Sequence, residues 1–135
     1  MRIFFVLLTG LTLLGACNKS TGVKKSKSYP DTLEGKWRYV EYFISSGGPG
    51  SWYTVNPVTD WIELKQNGEI NSNLAPFKDA SSYEVTDSVT IKFIIPFNPD
   101  GFLLYRYNVD TLQGGLILSP LKPLCIEGCA SKFKR

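Results

Sequence analysis

The sequence predicts an all-β domain, a small antiparallel up-and-down barrel of about eight short strands, preceded by a signal peptide and a flexible tether. Three observations point there. From Asp31 onward apolar residues recur with a period of two, and turn-forming residues interrupt the pattern every eight to twelve positions. No stretch has three turns' worth of helical periodicity. The chain has only 135 residues, of which 43% are hydrophobic, enough for one packed core and no second domain. A chain of sequential hairpins is most simply closed into a barrel, which removes exposed sheet edges.

Arg2 begins the chain's leader as a short positive region. Ile3 to Leu14 is an apolar run of about twelve residues, within the ~7–15 of a signal-peptide core and short of the ~20 that span a bilayer. Leu14-Gly15-Ala16-Cys17 closes it with small residues before a cysteine. This resembles the lipobox of bacterial lipoproteins, which implies cleavage after residue 16 and acylation of Cys17. An ordinary secretory signal that happens to place Cys17 after its cleavage site is the alternative. One acyl chain binds a membrane marginally and two or more hold it stably. Asn18 follows the cysteine in place of the aspartate that inner-membrane retention favours, so the expected location is the outer membrane, facing the periplasm.

Residues 17–30 form the lipidated cysteine and a linker. Asn18 to Pro30 has no hydrophobic periodicity, carries Lys19, Lys24, Lys25 and Lys27, and reaches roughly 45 Å when extended. The lysines fit either a plain spacer or contact with anionic headgroups. Residues 31–135, the expected barrel, hold ten basic and twelve acidic side chains, a net of −2. The overall charge of +3 therefore belongs to leader and tether, and nothing in the domain suggests nucleic acid.

Along the domain, Trp37 to Ile44 is β-prone with mixed faces, expected either from partial cover on both sides or from a bulge. Ser45 to Pro57 reads as a loop that exposes Trp52 and Tyr53. Ile62 and Leu64 alternate with Glu63 and Lys65, Asn67-Gly68 suits a type I′ hairpin turn, and Ile70 resumes beyond it. Tyr83 and Val85 lead into Thr86-Asp87-Ser88. The cleanest alternations are Val89, Ile91, Phe93, Ile95 and then Leu103, Tyr105, Tyr107, Val109, separated by the Pro96–Gly101 loop. Asp110-Thr111 joins them to a strand expected over Leu112–Leu118, with Gly114-Gly115 as a bulge or bend.

Leu33-Glu34-Gly35-Lys36-Trp37 resembles the G-x-W signature that opens the first strand of lipocalins. The tail from Cys125 to Arg135 resembles the ending of small lipocalin-like lipoproteins of Gram-negative envelopes. Together with the meander between them, the likeness covers nearly all of the mature domain. It implies that Trp37 packs at the closed barrel end beneath a basic side chain, Lys132 or Arg135, unless the C-terminus is simply solvated. It also implies binding of a small apolar ligand, lined by Tyr83, Phe93, Tyr105 and Tyr107 with Trp52 and Tyr53 at the rim. An interior filled by these bulky side chains is the alternative, and with it a structural module that docks an envelope protein through Ser45–Pro57.

Catalytic chemistry finds little purchase. The chain has no histidine, which removes Ser-His-Asp and Cys-His nucleophiles and histidine metal sites. Asp60/Glu63 and Glu84/Asp87 fall at strand ends and turns, as surface carboxylates do. No phosphate loop or other cofactor motif is present. With Cys17 acylated, Cys125 and Cys129 remain as a pair in an oxidising compartment. They suit a structural disulfide around Gly128, with a redox pair or a metal site through Glu127 as weaker readings. Finally, Asp31-Thr32-Leu33, Asp87-Ser88-Val89 and Asp110-Thr111-Leu112 each read Asp, hydroxyl, aliphatic. The pattern resembles an O-glycosylation sequon of some Gram-negative envelope proteins, and equally an ordinary turn before a strand.

Overall fold

The computed structural model describes residues 33–126 and 128–135. The leader, Cys17, the tether and Glu127 lie outside the described residues. The described chain is almost entirely strand: β1 (Gly35–Ile44), β2 (Ser51–Thr54), β3 (Trp61–Leu64), β4 (Ile70–Ser72), a 3₁₀ turn (Phe77–Asp79), β5 (Ser82–Val85), β6 (Thr90–Ile94), β7 (Phe102–Asp110), β8 (Gly115–Lys122) and β9 (Cys129–Lys134).

All pairings are antiparallel, in the order β4-β3-β1-β9-β8-β7-β6-β5, with β2 attached to β1. The pairing of the last strand with the first wraps the sheet into a barrel. One edge of β1 is shared: Gly35–Arg38 pair with β3, and Glu41–Ile44 pair with β2. β2 and β3 thus occupy one barrel position as a broken strand. Residues 55–60 leave it and return, held by Val55 N–H to the Val40 carbonyl and Tyr39 N–H to the Asp60 carbonyl, both 2.8 Å. Eight barrel positions result.

The barrel is nearly closed. β4 and β5 do not pair, but Tyr83 bridges them: its N–H donates to the Gly68 carbonyl and its Oη to the Lys65 carbonyl, each at 2.8 Å. Phe77, from the 3₁₀ turn beside the opening, is buried in the core.

The mixed faces of β1 resolve as a bulge. Tyr39 opposes Phe133, but Tyr42 opposes Ser131, so Val40 is the extra residue and the inward set passes from Trp37 and Tyr39 to Tyr42. Three other expectations are corrected. Ser45–Pro57 is not all loop, because it contains β2. Asn67-Gly68 does not form a type I′ turn: no described residue other than glycine has positive φ, so Lys65–Gly68 is a type I turn with Gly68 alone left-handed at φ 86°. The strand expected over Leu112–Leu118 begins only at Gly115 and runs to Lys122. Asp110 Oδ1 accepts from Leu112 and Gln113 N–H at 3.0 Å and fixes a turn that leaves Leu112 outside the sheet.

Candidate functional site

Inward alternation on β6 and β7 delivers Ile91, Phe93, Leu103 and Tyr105 to the barrel interior, where β1, β8 and β9 add Trp37, Leu116, Leu118 and Phe133. Phe77, Phe93 and Tyr105 form a triangle of rings with centroids 4.8, 5.2 and 5.7 Å apart. Edge-to-face and tilted contacts of this kind add about 0.5–1.5 kcal/mol each beyond burial. Tyr83 and Phe93 are at most 1% exposed and Tyr105 is 7% exposed. Three of the residues expected to line a ligand pocket are therefore placed in the packed core. Tyr107 is half-buried against the same core, nearer the end of the barrel.

At the end of the barrel where β1 begins, Trp37 is fully buried and donates through Nε1 to the Leu33 carbonyl at 2.9 Å. The Arg135 guanidinium lies 4.6 Å from its ring centroid and donates to the Glu34 carbonyl at 3.0 Å. Of the two basic residues considered for this place, Arg135 occupies it. Lys132 points to the other face of β9, where it pairs with Glu41 at 2.6 Å and lies 5.7 Å from the Trp52 ring.

Burial raises the phenols of Tyr39, Tyr107 and, furthest of the three, Tyr105. Loss of solvation pushes the Tyr105 phenol up to about 12. The folded value exceeds the ordinary 10.0, so the stabilisation is fully present below pH 10 and is lost as pH rises through about 12. The two-unit difference corresponds to about 2–3 kcal/mol. In an alkaline titration followed by phenolate absorbance, the Tyr105 phenol should ionise only with unfolding. The Tyr105→Phe variant should lose one phenolate from the late part of the titration and unfold at higher pH. A late part of the titration that is unchanged in Tyr105→Phe would contradict this placement.

Trp52 and Tyr53 stand outside the core on the β1–β2 hairpin, whose two faces are both aromatic. Tyr42 and Tyr53 stack at 5.4 Å on one face, and Phe43 packs against Trp52 at 5.4 Å on the other. Trp52 and Tyr53 remain 42% and 49% exposed. Gly50 permits the arrangement, since a Cβ there would fall within 2.0 Å of the Phe43 ring. The free edge of β2 is also open. Val55 N–H bonds back to Val40, and ladder bonds alternate, so the backbone groups of Trp52 and Thr54 point away from β1. A shallow cleft of about 300 Å³ lies over the Phe43–Trp52 face, bounded by Ile117, Cys129 and Ala130.

Cys125 and Cys129 are joined, with Cα atoms 5.8 Å apart, inside the ~4.4–6.8 Å range of disulfides. The Gly128 carbonyl in the closed loop accepts Ser45 N–H at 3.2 Å, which fastens the hairpin where β1 enters its turn. Among the described residues no three Cys, Asp or Glu side chains gather as a metal site, and no helix is long and apolar enough to cross a membrane.

No family model, curated protein or solved structure matches the chain. Two contributors escaped the sequence reading. Phe77 sits in a segment without periodicity, and only the fold brings it to Phe93. Phe43 was placed on a strand, but its partner Trp52 depends on a hairpin register that Gly47-Gly48-Pro49-Gly50 conceals.

Proposed function

We propose that this chain is a non-enzymatic lipoprotein of the bacterial outer membrane, facing the periplasm, whose lipocalin-like barrel is a rigid module that docks a partner protein through the β1–β2 hairpin. The distribution of aromatic side chains carries this reading. Those inside the barrel pack against one another, while Trp52 on the outer face and Tyr53 on the inner face of the β1–β2 hairpin stay 42% and 49% exposed beside an unpaired β2 edge. Tyrosine and tryptophan held rigidly at a surface contribute large contact area at low entropic cost. The positive leader, short apolar run and Cys17 support the anchor, and a tether reaching roughly 45 Å supports a barrel that searches the space beside its membrane.

Native mass spectrometry of the mature protein, before and after organic extraction, tests the reading. The expected spectrum shows no small molecule lost on extraction. A photo-crosslinker at position 53 should capture a discrete envelope protein. One at Phe97, exposed on a different loop, should not. A bound mass that leaves with solvent would replace the docking module with a carrier of an apolar ligand.

A further inference from the structure

Two of the three Asp–hydroxyl–aliphatic tripeptides fall on described turns, and the fold brings both to the same end of the barrel. The 86–89 connection precedes β6 and the 111–114 connection follows β7. These strands are antiparallel neighbours, so both connections lie at one end, and Tyr107 N–H fastens the first of them to β7 by donating to the Val89 carbonyl at 2.8 Å. β1 begins at this end too.

Their local geometry is the same. Asp87 Oδ1 accepts Val89 N–H at 2.9 Å, and Asp110 Oδ1 accepts Leu112 N–H at 3.0 Å. In each, the carboxylate closes the turn, and the hydroxyl residue at its tip, Ser88 or Thr111, is exposed. Neither hydroxyl has a hydrogen-bond partner among the described residues, whereas Thr86, Ser72 and Ser81 use theirs on backbone carbonyls. The aliphatic residue that follows is outward as well: Val89 is 49% and Leu112 96% exposed. Leu112 contributes nothing to the core, and a polar residue would serve the turn better. The third copy differs, because Leu33 is fully buried.

We propose that Ser88 and Thr111 are O-glycosylation sites, read on the folded protein by a transferase that recognises the carboxylate, the free hydroxyl and the outward aliphatic side chain together. The acceptor oxygen attacks the anomeric carbon of a sugar carried as a glycosyl phosphate ester. The carbon–oxygen bond to phosphate breaks, the phosphate leaves with the bonding electrons, and a base of the transferase takes the hydroxyl proton. A neutral sugar fits these sites where a phosphoryl group does not, since each hydroxyl neighbours an aspartate and a second anion would be repelled. There is room for it: a concavity of about 500 Å³ lies between the turns, with Ser88, Val89, Tyr107 and Thr111 on its walls. Two glycans here would cover Val89 and Leu112 with hydrophilic mass. This proposal does not depend on the docking role of the hairpin, which lies at the opposite end of β1.

The test is the full-length chain, produced with its leader in its own bacterium and examined by intact mass and by peptide sequencing that preserves O-linked groups. The expected result is a glycan mass on Ser88 and another on Thr111. Ser88→Ala and Thr111→Ala should each lose one. Leu112→Lys should lose the Thr111 glycan while leaving the Ser88 glycan and thermal unfolding unchanged. An intact mass equal to the acylated polypeptide alone would overturn the proposal. So would a phosphate mass on either residue, or glycans insensitive to these substitutions.

Discussion

Trp37→Ala is expected to cost the domain about 3–5 kcal/mol, the range for truncating a large buried aromatic residue. The site offers little chance to collapse. Trp37 pairs with Ile62 of β3 on one side, the next residues Arg38 and Tyr39 pair with β9 on the other, and its ring is fully enclosed. Its loss also removes the donor to the Leu33 carbonyl and leaves Arg135 without the ring beneath it. Small domains are stable by ~5–15 kcal/mol in total, so this one change consumes a large share. At about 4–8 °C per kcal/mol, the Tm should fall by on the order of 15 °C or more, measured by circular dichroism on the mature chain. Arg135→Ala should cost far less, about 0.5–2 kcal/mol, because it removes the cation and not the buried ring. A Trp37→Ala loss no larger than that of Arg135→Ala would mean that the cation, not the packed indole, closes this end of the barrel.

The parts of the fold that were legible in the sequence are those where the two faces of a strand meet different surroundings. β6 and β7 announce themselves through Ile91, Phe93, Leu103 and Tyr105 because each is buried between neighbours that are half-buried or exposed. β1 announced a difficulty, and the bulge at Val40 is its physical resolution. What failed to show was decided by turn chemistry or by distant pairing. Leu112 reads as part of β8 because it is aliphatic and follows a turn signal, yet Asp110 binds its N–H and ends the preceding strand there. β2 lies within a Gly- and Pro-rich stretch and is a strand only because half of one edge of β1 is left for it. For the candidate site, Trp52 and Tyr53 were legible as exposed aromatics. That Tyr83, Phe93 and Tyr105 pack among themselves follows from the narrowness of the barrel and from Phe77, neither of which leaves a local trace. The Asp–hydroxyl–aliphatic repeats were visible as words, but their presence at one end of the molecule is a consequence of strand direction.

Phe77→Ala should convert the filled barrel into one with a cavity, which makes it the decisive variant for the choice between docking module and carrier. Among the described residues, Phe77 comes from the one irregular segment that contributes a ring to the core, beside the seam where β4 and β5 do not pair. Its removal takes a partner from both Phe93 and Tyr105 and costs about 3–5 kcal/mol. β5 is held across the seam by Tyr83, so the wall should persist while the space behind it empties. A cavity lined by aromatic and aliphatic groups stays dry and accepts small apolar molecules. Benzene should therefore raise the Tm of Phe77→Ala and leave the native protein unaffected, since a ligand stabilises only the state that has a place for it. Trp52→Ala, outside the core, should show neither the loss of stability nor the response to benzene. If benzene stabilises the native protein as strongly as the variant, the interior already has room for a guest, and the aromatic residues that fill it here would be the walls of a binding site.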